Sequence, residues 1–443
     1  MLKKIICLFL SALFLIYYIP RVSFAANFNI DFTPSCEAIY LLNLDTDTVA
    51  YEKNSDKIMF PASLTKIMTY IITAEHVKDF DHTIITIRKE LIDKLLGTGS
   101  SIANIKANDN LTVTQLLHCL MIKSGNDAAL VLADYVGNGN IDNFVKMMND
   151  KATELGCKNT HFMNPHGLHD ENHYTTAKDL SIIAKYAMTL PNFIDISSSS
   201  TSYIMGEDKY PLVTTNSMID LSRGGKYYYQ YARGIKNGNT EEAGYCLVSS
   251  AVHNGYSYLC VALGAPIKDT AGNKVTDNYA MLDSKSLYKW ALTNLELKPV
   301  LKKNDPLTEI PVNLSTDKDC ILLYPSENYS ALLPKNVNTS SIDIKIEKPD
   351  SVDAPIKTGQ KVGTALLSYA NKELARIDLV AGEDVNRNFI LFFIQCISNI
   401  ISSIWFKISL AIVAILIVAY IILFFSHNKR FRRKKSKVHK RYK

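Results

Sequence analysis

Ser63 and Lys66 are the first residues whose types and spacing could perform nucleophilic chemistry. They lie three positions apart, and Ser63 comes two residues after Pro61, where a run of apolar residues with helical spacing begins. Residues three apart share one face of a helix, so the Lys66 amine can reach the Ser63 hydroxyl. The start of a helix also places unpaired N–H groups and the positive end of the helix dipole beside that hydroxyl. One such pair recurs by chance in many chains, so the chemistry needs further support.

Two further patterns of polar residues follow in order along the chain. Each combines a serine or a lysine with an amide and a glycine: Ser124-Gly125-Asn126, and Lys236-Asn237-Gly238 followed by Asn239. Gly125 lies between two predicted helices, where it lets the backbone turn. Gly238 lies at the head of a predicted strand, where the lack of a side chain lets a substrate backbone come close.

The elements around these patterns predict an α+β domain with an antiparallel sheet. Strands open the domain, helices fill its middle, and strands return before a last helix. The predicted strands are Ala38–Leu44, Thr48–Tyr51, Ala243–Val252 and Tyr256–Leu263. The predicted helices begin at Pro61 and continue with Thr114–Met121, Ala128–Val136, Ile141–Leu155, Ala177–Thr189 and Ser284–Leu295.

A second, smaller module follows a linker near Leu297–Pro306. Ile342, Ile344 and Ile346 alternate with charged residues, which predicts a half-buried strand. Turn residues recur through the rest of Leu307–Val385 without a helical pattern. We therefore expect a small all-β module.

The N-terminus has the pattern of a secretory signal peptide. Two lysines precede an apolar run from Ile5 to Ile19, and Ser23-Phe24-Ala25 has small residues at the positions of a cleavage site. An uncleaved anchor helix is the alternative. It is less favoured because Pro20 and Arg21 interrupt a short run.

The C-terminus predicts a membrane span. Ile408–Phe425 is eighteen residues without a charge, and ten Lys or Arg follow in Lys429–Lys443, which marks the cytoplasmic side. Before it, Phe389–Phe406 has its polar residues on one helical face, which predicts an amphipathic helix on the outer leaflet of membrane lipid. A second span is the alternative for this segment, but it would turn the basic tail outward.

The charges divide unevenly between the ends of the chain and its middle. The chain has 49 basic and 43 acidic residues, but fourteen of the basic ones lie in or beside the membrane segments. Residues 26–387 therefore have a net charge of −8, which argues against a nucleic-acid partner. Their six cysteines are widely spaced without a C-x-x-C pair, which argues against a zinc ribbon. An even number in an exported protein permits disulfides, and buried free thiols are the favoured alternative for most of them.

Four histidines within thirteen residues raise the possibility of a zinc site: His161, His166, His169 and His173. Their spacing is not that of the H-E-x-x-H motif, and Pro165 and Gly167 would break a helix that could present them together. We therefore expect no metal or other cofactor, and we expect His166 and His173 to fix a loop.

The ordered S-x-x-K, S-x-N and K-x-G motifs resemble those of the penicillin-recognising serine enzymes. Flanking residues narrow the resemblance to the low-molecular-mass D-alanyl-D-alanine carboxypeptidases, which are similar to penicillin-binding protein 5. The matching segments are Phe60–Lys66, Ser124–Ala129, Asn164–Leu168 and His173–Ala177. The motifs cover about Ala38 to Leu295, and the all-β module and membrane-attached C-terminus also resemble that family.

The resemblance implies a catalytic group of Ser63, Lys66 and Ser124. Ser63 would attack the penultimate D-alanine of a peptidoglycan stem pentapeptide and form an acyl-enzyme. Lys66 would be the general base, and Ser124 would pass the proton to the leaving D-alanine. β-Lactam antibiotics would acylate the same serine.

The resemblance also implies five substrate-binding residues. Asn126 would hold Lys66 and the substrate amide, and Lys236 would attract the terminal carboxylate. Asn237 and Gly238 complete the third motif, and the N–H groups of Ser63 and Asn239 would form the oxyanion hole.

One residue departs from the family pattern. Asn237 occupies a position where the family usually has a Thr that helps to hold the carboxylate. An Asn amide can still donate a hydrogen bond, so we expect altered affinity rather than loss of chemistry. The alternatives are a catalytically impaired scaffold that binds the cell wall, and a β-lactamase, although β-lactamases usually have Asp where this chain has Gly125.

The sequence therefore predicts an exported, single-pass membrane protein with its catalytic domain outside the cell and its basic tail in the cytoplasm. Its expected segments are a signal peptide at residues 1–25, a serine D,D-peptidase catalytic domain at 26–297, a linker at 298–306, an all-β module at 307–387, an amphipathic interfacial helix at 388–407, a transmembrane helix at 408–425 and a basic tail at 426–443.

Overall fold

A computed structural model describes residues 28–205 and 211–439, and it divides into two compact units. The first unit takes in the chain up to Val300 with Ser330–Ile344 and Leu366–Ala375, and the second takes in the remainder. The predicted signal peptide lies outside the described residues.

The first unit has a mixed order of strands and helices. Its strands are β1 (Ala38–Asn43), β2 (Thr48–Lys53), β3 (Ile84–Thr86), β4 (Asn110–Thr112), β5 (Thr201–Ser202), β6 (Leu212–Val213), β7 (Lys236–Thr240), β8 (Gly244–His253), β9 (Tyr256–Ala265) and β10 (Leu295–Leu301). Its helices are α1 (Lys66–His76), α2 (Lys89–Asp93), α3 (Val113–Met121), α4 (Asn126–Val136), α5 (Ile141–Glu154), α6 (Ala177–Ala187), α7 (Phe193–Ser197) and α8 (Tyr279–Asn294).

A five-stranded antiparallel sheet forms the centre of this unit, in the order β2-β1-β9-β8-β7. Alternate residues of β1 point to opposite faces of the sheet and pack in two different hydrophobic cores. Tyr40 and Leu42 pack with helices α1 and α3 to α6, whereas Ile39 and Leu41 pack with α8. Burial on both faces explains why β1 is a continuous apolar run rather than an alternating one. This architecture confirms the predicted α+β fold.

The helix predicted from Pro61 begins differently from the expectation. Residues Ala62–Thr65 form a turn of 3₁₀-helix, and the α-helix starts only at Lys66. Ala62 has a φ of 48°, in the left-handed region, which is not compatible with a regular helix at this position. Ser63 therefore lies on a tight turn in front of α1 rather than inside its first turn.

The module after the first domain is built from strands, as predicted. The strands that follow β10 are β11 (Thr308–Asn313), β12 (Cys320–Pro325), β13 (Tyr329–Pro334), β14 (Asp343–Glu347), β15 (Val352–Asp353), β16 (Lys361–Tyr369) and β17 (Lys372–Ala381). Six of them form one sheet in the order β14-β16-β17-β12-β11-β15. The seventh, β13, pairs with β10, and both of these strands lie almost wholly in the first unit. β10 extends four residues into the predicted linker 298–306, and its first and last residues, Leu295 and Leu301, are buried.

Two helices end the described chain, α9 (Phe389–Ser402) and α10 (Ile404–His439). The predicted interfacial helix is shorter than expected, because Ser403 has extended backbone and ends α9. Within the described residues, Ile404–Ser426 is the one helical stretch long and apolar enough to cross a membrane. It includes the whole predicted span and begins four residues before it.

Candidate active site

The Ser63 turn is held by a chain of hydrogen bonds to His173. The Met163 N–H donates to His173 Nδ1, so Nε2 carries the proton and donates to Thr65 Oγ1 at 2.8 Å. Thr65 Oγ1 in turn donates to the Ala62 carbonyl at 2.8 Å. Burial lowers the pKa of His173 to about 4 and keeps the ring neutral. The histidine therefore fixes the backbone immediately before Ser63.

Gly167 packs directly on the same turn. A Cβ at this position would lie 1.9 Å from the Ala62 carbonyl oxygen, and Gly167 has a φ of 87°. Only glycine combines this conformation with such a close approach. The loop Asn164–Leu168 is also closed on itself, because Asn164 Oδ1 accepts from the Gly167 N–H and Nδ2 donates to the Leu168 carbonyl.

Lys66 is fully buried and reaches two groups of the site. Its Nζ lies 3.0 Å from Ser63 Oγ and 2.6 Å from the carbonyl oxygen of His166, to which it donates. Burial, reinforced by the charge of Lys236, holds the pKa of Lys66 well below its usual value, while Asp127 opposes the shift. A neutral amine beside the Ser63 hydroxyl can accept its proton.

Ser124 lies in the turn between α3 and α4, and Asn126 is the first residue of α4. Ser124 has a φ of 59°, and the Asn126 N–H donates to the Ser101 carbonyl at 2.8 Å. Asn126 Oδ1 is buried and has no hydrogen-bond partner among the described residues. An unpartnered buried acceptor costs free energy unless a ligand satisfies it, so this oxygen is available to a substrate N–H.

Gly125 has no room for a side chain. A Cβ there would lie 2.6 Å from Asp127 Oδ1 and 3.2 Å from the Cys119 carbonyl oxygen. An aspartate in the middle of this motif, the residue usual in β-lactamases, would therefore displace the turn. This packing disfavours the β-lactamase alternative.

Asp127 is a site residue that the sequence analysis missed. Its buried carboxylate accepts from the N–H groups of Ala103, Ile105 and Ala128 at 2.9–3.1 Å. Burial raises its pKa, and these hydrogen bonds oppose the rise. The carboxylate thereby ties the loop at Ala103–Ile105 to the Ser124 turn.

Replacing Asp127 with asparagine is expected to destabilise the protein and slow its chemistry. The amide can satisfy fewer of the three N–H groups, so the free energy of unfolding should fall by about 2–3 kcal/mol. A displaced Ser124 turn should slow acylation by penicillin by about 10- to 100-fold. Thermal unfolding and stopped-flow acylation measure the two effects. Asp134→Asn on the same helix, which weakens one ion pair with the half-exposed Arg88 and anchors no loop of the site, should change stability by less than about 1 kcal/mol. Equal effects of the two substitutions would contradict the anchoring role.

The third motif lies on β7, the edge strand beside the Ser63 turn. Lys236 is buried, its Nζ donates to the Asn237 carbonyl at 2.8 Å, and burial lowers its pKa to about 7. A Cβ on Gly238 would lie 2.7 Å from the Ser63 N–H nitrogen, so glycine alone permits this contact. Asn239 is exposed.

The structure therefore brings four of the eight predicted site residues together: Ser63, Lys66, Lys236 and Gly238. Ser63 contacts Lys66 and Gly238, and the charge of Lys236 lowers the pKa of Lys66. In the part of the chain that the structure describes, no hydrogen bond joins Ser124 or Asn239 to Ser63 or Lys66.

The four histidines of the possible zinc site serve other contacts. His161 Nδ1 pairs with the Asn172 carbonyl, His166 Nδ1 accepts from the Leu168 N–H, and His169 meets the Phe60 ring edge-on. Burial and the nearby Lys66 lower the pKa of His166 to about 3. Across residues 28–205 and 211–439, no cluster of three or more His, Cys, Asp or Glu could hold a metal.

Comparison with known proteins agrees with this geometry. Residues 29–267 match the family described as D-alanyl-D-alanine carboxypeptidase (peptidase S11), and residues 295–387 match the C-terminal domain of penicillin-binding protein 5. The chain is 32% identical to D-alanyl-D-alanine carboxypeptidase DacF of Bacillus subtilis over 80% of this chain and 87% of that protein. It is 28% identical to DacA of Escherichia coli K12, over 79% and 83%.

A solved structure shows the same fold. The crystal structure of penicillin binding protein 5 from Haemophilus influenzae superimposes with a TM-score of 0.67 and 26% identity, covering 81% of this chain and all of that one. The matched regions include all three motifs and the all-β module. The chain belongs to the S11 family of D-alanyl-D-alanine carboxypeptidases.

Proposed function

We propose that the protein is a serine-type D-alanyl-D-alanine carboxypeptidase that removes the terminal D-alanine from peptidoglycan stem pentapeptides through an acyl-enzyme on Ser63. The observation that carries this proposal is the 3.0 Å separation of Ser63 Oγ from the buried, pKa-lowered amine of Lys66. Family membership supports the same reaction and predicts that β-lactams acylate the site.

Acylation begins when Ser63 Oγ attacks the carbonyl carbon of the penultimate D-alanine. The hydroxyl proton passes to Lys66, the C–N bond breaks, and a proton delivered through Ser124 leaves with the amine of the terminal D-alanine. Water then attacks the ester carbonyl, with its proton taken up by the same base. The shortened peptide departs and the Ser63 hydroxyl is restored. The N–H groups of Ser63 and Asn239 stabilise the oxyanion in both steps.

Substrate binding uses the edge of β7. Gly238 lets the peptide backbone approach Ser63, and Asn126 offers its unpartnered oxygen to a substrate N–H. Lys236 attracts the terminal carboxylate, and Asn237 offers a side-chain amide beside it. None of these roles needs a metal or other cofactor.

The membrane arrangement is part of the proposal. The apolar length of Ile404–Ser426 supports a single span. The ten basic residues after it favour a cytoplasmic tail, which puts the catalytic domain outside the cell. The exposed apolar residues of α9 would contact the outer leaflet of membrane lipid.

The test uses the full chain in detergent. It should release D-alanine from a peptide ending in D-Ala-D-Ala, and benzylpenicillin should add one acyl group that peptide mapping places on Ser63. An adduct on Ser63 without D-alanine release would favour the impaired, wall-binding scaffold. Rapid turnover of penicillin would favour a β-lactamase. If folded protein gave neither the adduct nor D-alanine release, the proposal would be overturned.

The pH dependence of peptide hydrolysis should report both buried lysines. Lys66 must be neutral to take the proton and Lys236 must be charged to attract the carboxylate, so kcat/KM should rise and then fall with pH. Since the pKa of Lys236 is about 7 in the free enzyme, the falling limb of kcat/KM should lie near there. A bound carboxylate stabilises the charged amine, so the falling limb of kcat should lie at higher pH. Rates that rise without a maximum to pH 10 would contradict these assignments.

A further inference from the structure

Thr215 joins the second and third motifs, although it belongs to neither. It lies just after β6, and its N–H donates to the carbonyl of Ile122, two residues before Ser124. Its Oγ1 donates to Asn237 Oδ1 at 2.7 Å. Thr215 therefore contacts the one motif residue that departs from the family pattern.

The position of Thr215 is held from both sides. The Thr214 N–H donates to the Ser200 carbonyl at 2.9 Å, and Asn216 Nδ2 donates to the Gly234 carbonyl at 3.1 Å. Asn216 is buried, and its N–H also donates to Thr214 Oγ1. These hydrogen bonds hold the backbone of Thr215 in place, so its hydroxyl is kept within reach of Asn237.

A hydroxyl that donates to Oδ1 decides the orientation of the Asn237 amide. An Asn side chain carries an acceptor oxygen and a donor NH₂ group in one plane, and the two point in different directions from the same carbon. With Oδ1 occupied by Thr215, Nδ2 is turned the other way, and it makes no hydrogen bond within the described residues. The opposite orientation would present Oδ1 to an incoming carboxylate and repel it.

We infer that Thr215 is a positioning residue of the carboxylate subsite, whose hydroxyl turns the Asn237 amide so that Nδ2 donates to the terminal carboxylate of the substrate. The inference rests on the proposed function. It explains how an amide can replace a hydroxyl in the third motif, because the amide needs a neighbour to select its donor side.

The test compares benzylpenicillin with its methyl ester, which keeps the β-lactam but lacks the negative charge. The readout is the ratio of their second-order acylation rate constants on the full chain in detergent. Thr215→Val should lower the acid-to-ester ratio by about tenfold, the loss expected for one hydrogen bond to a charged group. Thr215→Ser, which keeps the hydroxyl, should retain the parent ratio within about twofold. KM for the D-Ala-D-Ala peptide should rise in Thr215→Val more than kcat falls.

Two controls separate positioning from other roles. Thr214→Val removes a neighbouring hydroxyl that only supports the loop, so it should leave the ratio unchanged. In an Asn237→Ala background there is no amide to orient, so Thr215→Val should have no further effect on the ratio. A further fall there would show that Thr215 contacts the carboxylate itself and would overturn the inference.

An unchanged ratio in folded Thr215→Val would also overturn it. Failure of the proposed function looks different, because the parent protein would then release no D-alanine from the peptide, whatever its ratio of acylation rate constants.

Discussion

Ser63→Ala is expected to abolish both the penicillin adduct and the release of D-alanine. The substitution removes the oxygen that forms the acyl bond, and no neighbouring group can replace it in the same geometry. The loss in kcat/KM should be at least about 10³-fold, as for other serine hydrolases that lose their nucleophile. Intact mass after incubation with benzylpenicillin and an assay of released D-alanine measure the two effects.

The Ser63 variant should remain folded, because it loses only one hydroxyl from a side chain that is not fully buried. Ser199→Ala is a matched control, since its hydroxyl donates only to the Asp195 carbonyl, in a segment without site residues. That variant should keep full activity. An adduct that persisted in Ser63→Ala would place the nucleophile elsewhere, with Ser124 as the first residue to test.

Lys66→Met is expected to lower the rate of acylation by about 10³-fold, the contribution typical of a general base. Methionine nearly fills the space of the lysine stem but cannot accept the Ser63 proton. The variant should still bind the peptide, because Lys236 and Asn126 remain in place. Stopped-flow acylation by penicillin measures the chemical step, and competition with the peptide measures binding.

Stability should move in the opposite direction from activity. The pKa of Lys66 is lower in the folded chain than its usual 10.5, so below that pH the unfolded chain binds a proton that the folded chain binds less readily. Burying Lys66 therefore opposes folding at neutral pH, and Lys66→Met should raise the Tm there. The exposed substitution Lys57→Met should alter neither the Tm substantially nor the acylation rate. A destabilised Lys66→Met would indicate a structural role for the amine.

The sequence predicted the motifs well because each is short and local. Ser63 and Lys66 are three residues apart, and their contact follows from one turn of the chain. The alternation of strands and helices likewise follows from local apolar patterns, and the start of α3 was misplaced by only one residue. Helix α8 was predicted five residues too late: it begins at Tyr279, where the Asn278 side chain caps it by accepting from the Met281 N–H.

The missed residues act over longer separations. Asp127 meets Ala103 and Ile105, more than twenty residues away, and Thr215 meets Asn237 at a separation of 22. No periodicity marks such pairs, because their partners are backbone groups or single side chains brought close by packing. The left-handed φ of Ala62 is equally invisible in the sequence, since alanine has no preference for it.

The three glycines that line the site have a consequence for inhibitor resistance. Each faces a neighbour that a methyl group would strike: Gly167 faces the Ala62 carbonyl, Gly125 the Asp127 carboxylate, and Gly238 the Ser63 backbone. A substitution in this enzyme can lower its affinity for β-lactams usefully only if the enzyme stays folded and active. Single substitutions at these three positions displace the nucleophile or its supporting turns. Resistance mutations at these positions should therefore inactivate the enzyme. β-Lactam contacts to these glycines should therefore be harder to lose by mutation than contacts to Asn237, whose side chain is only half-buried.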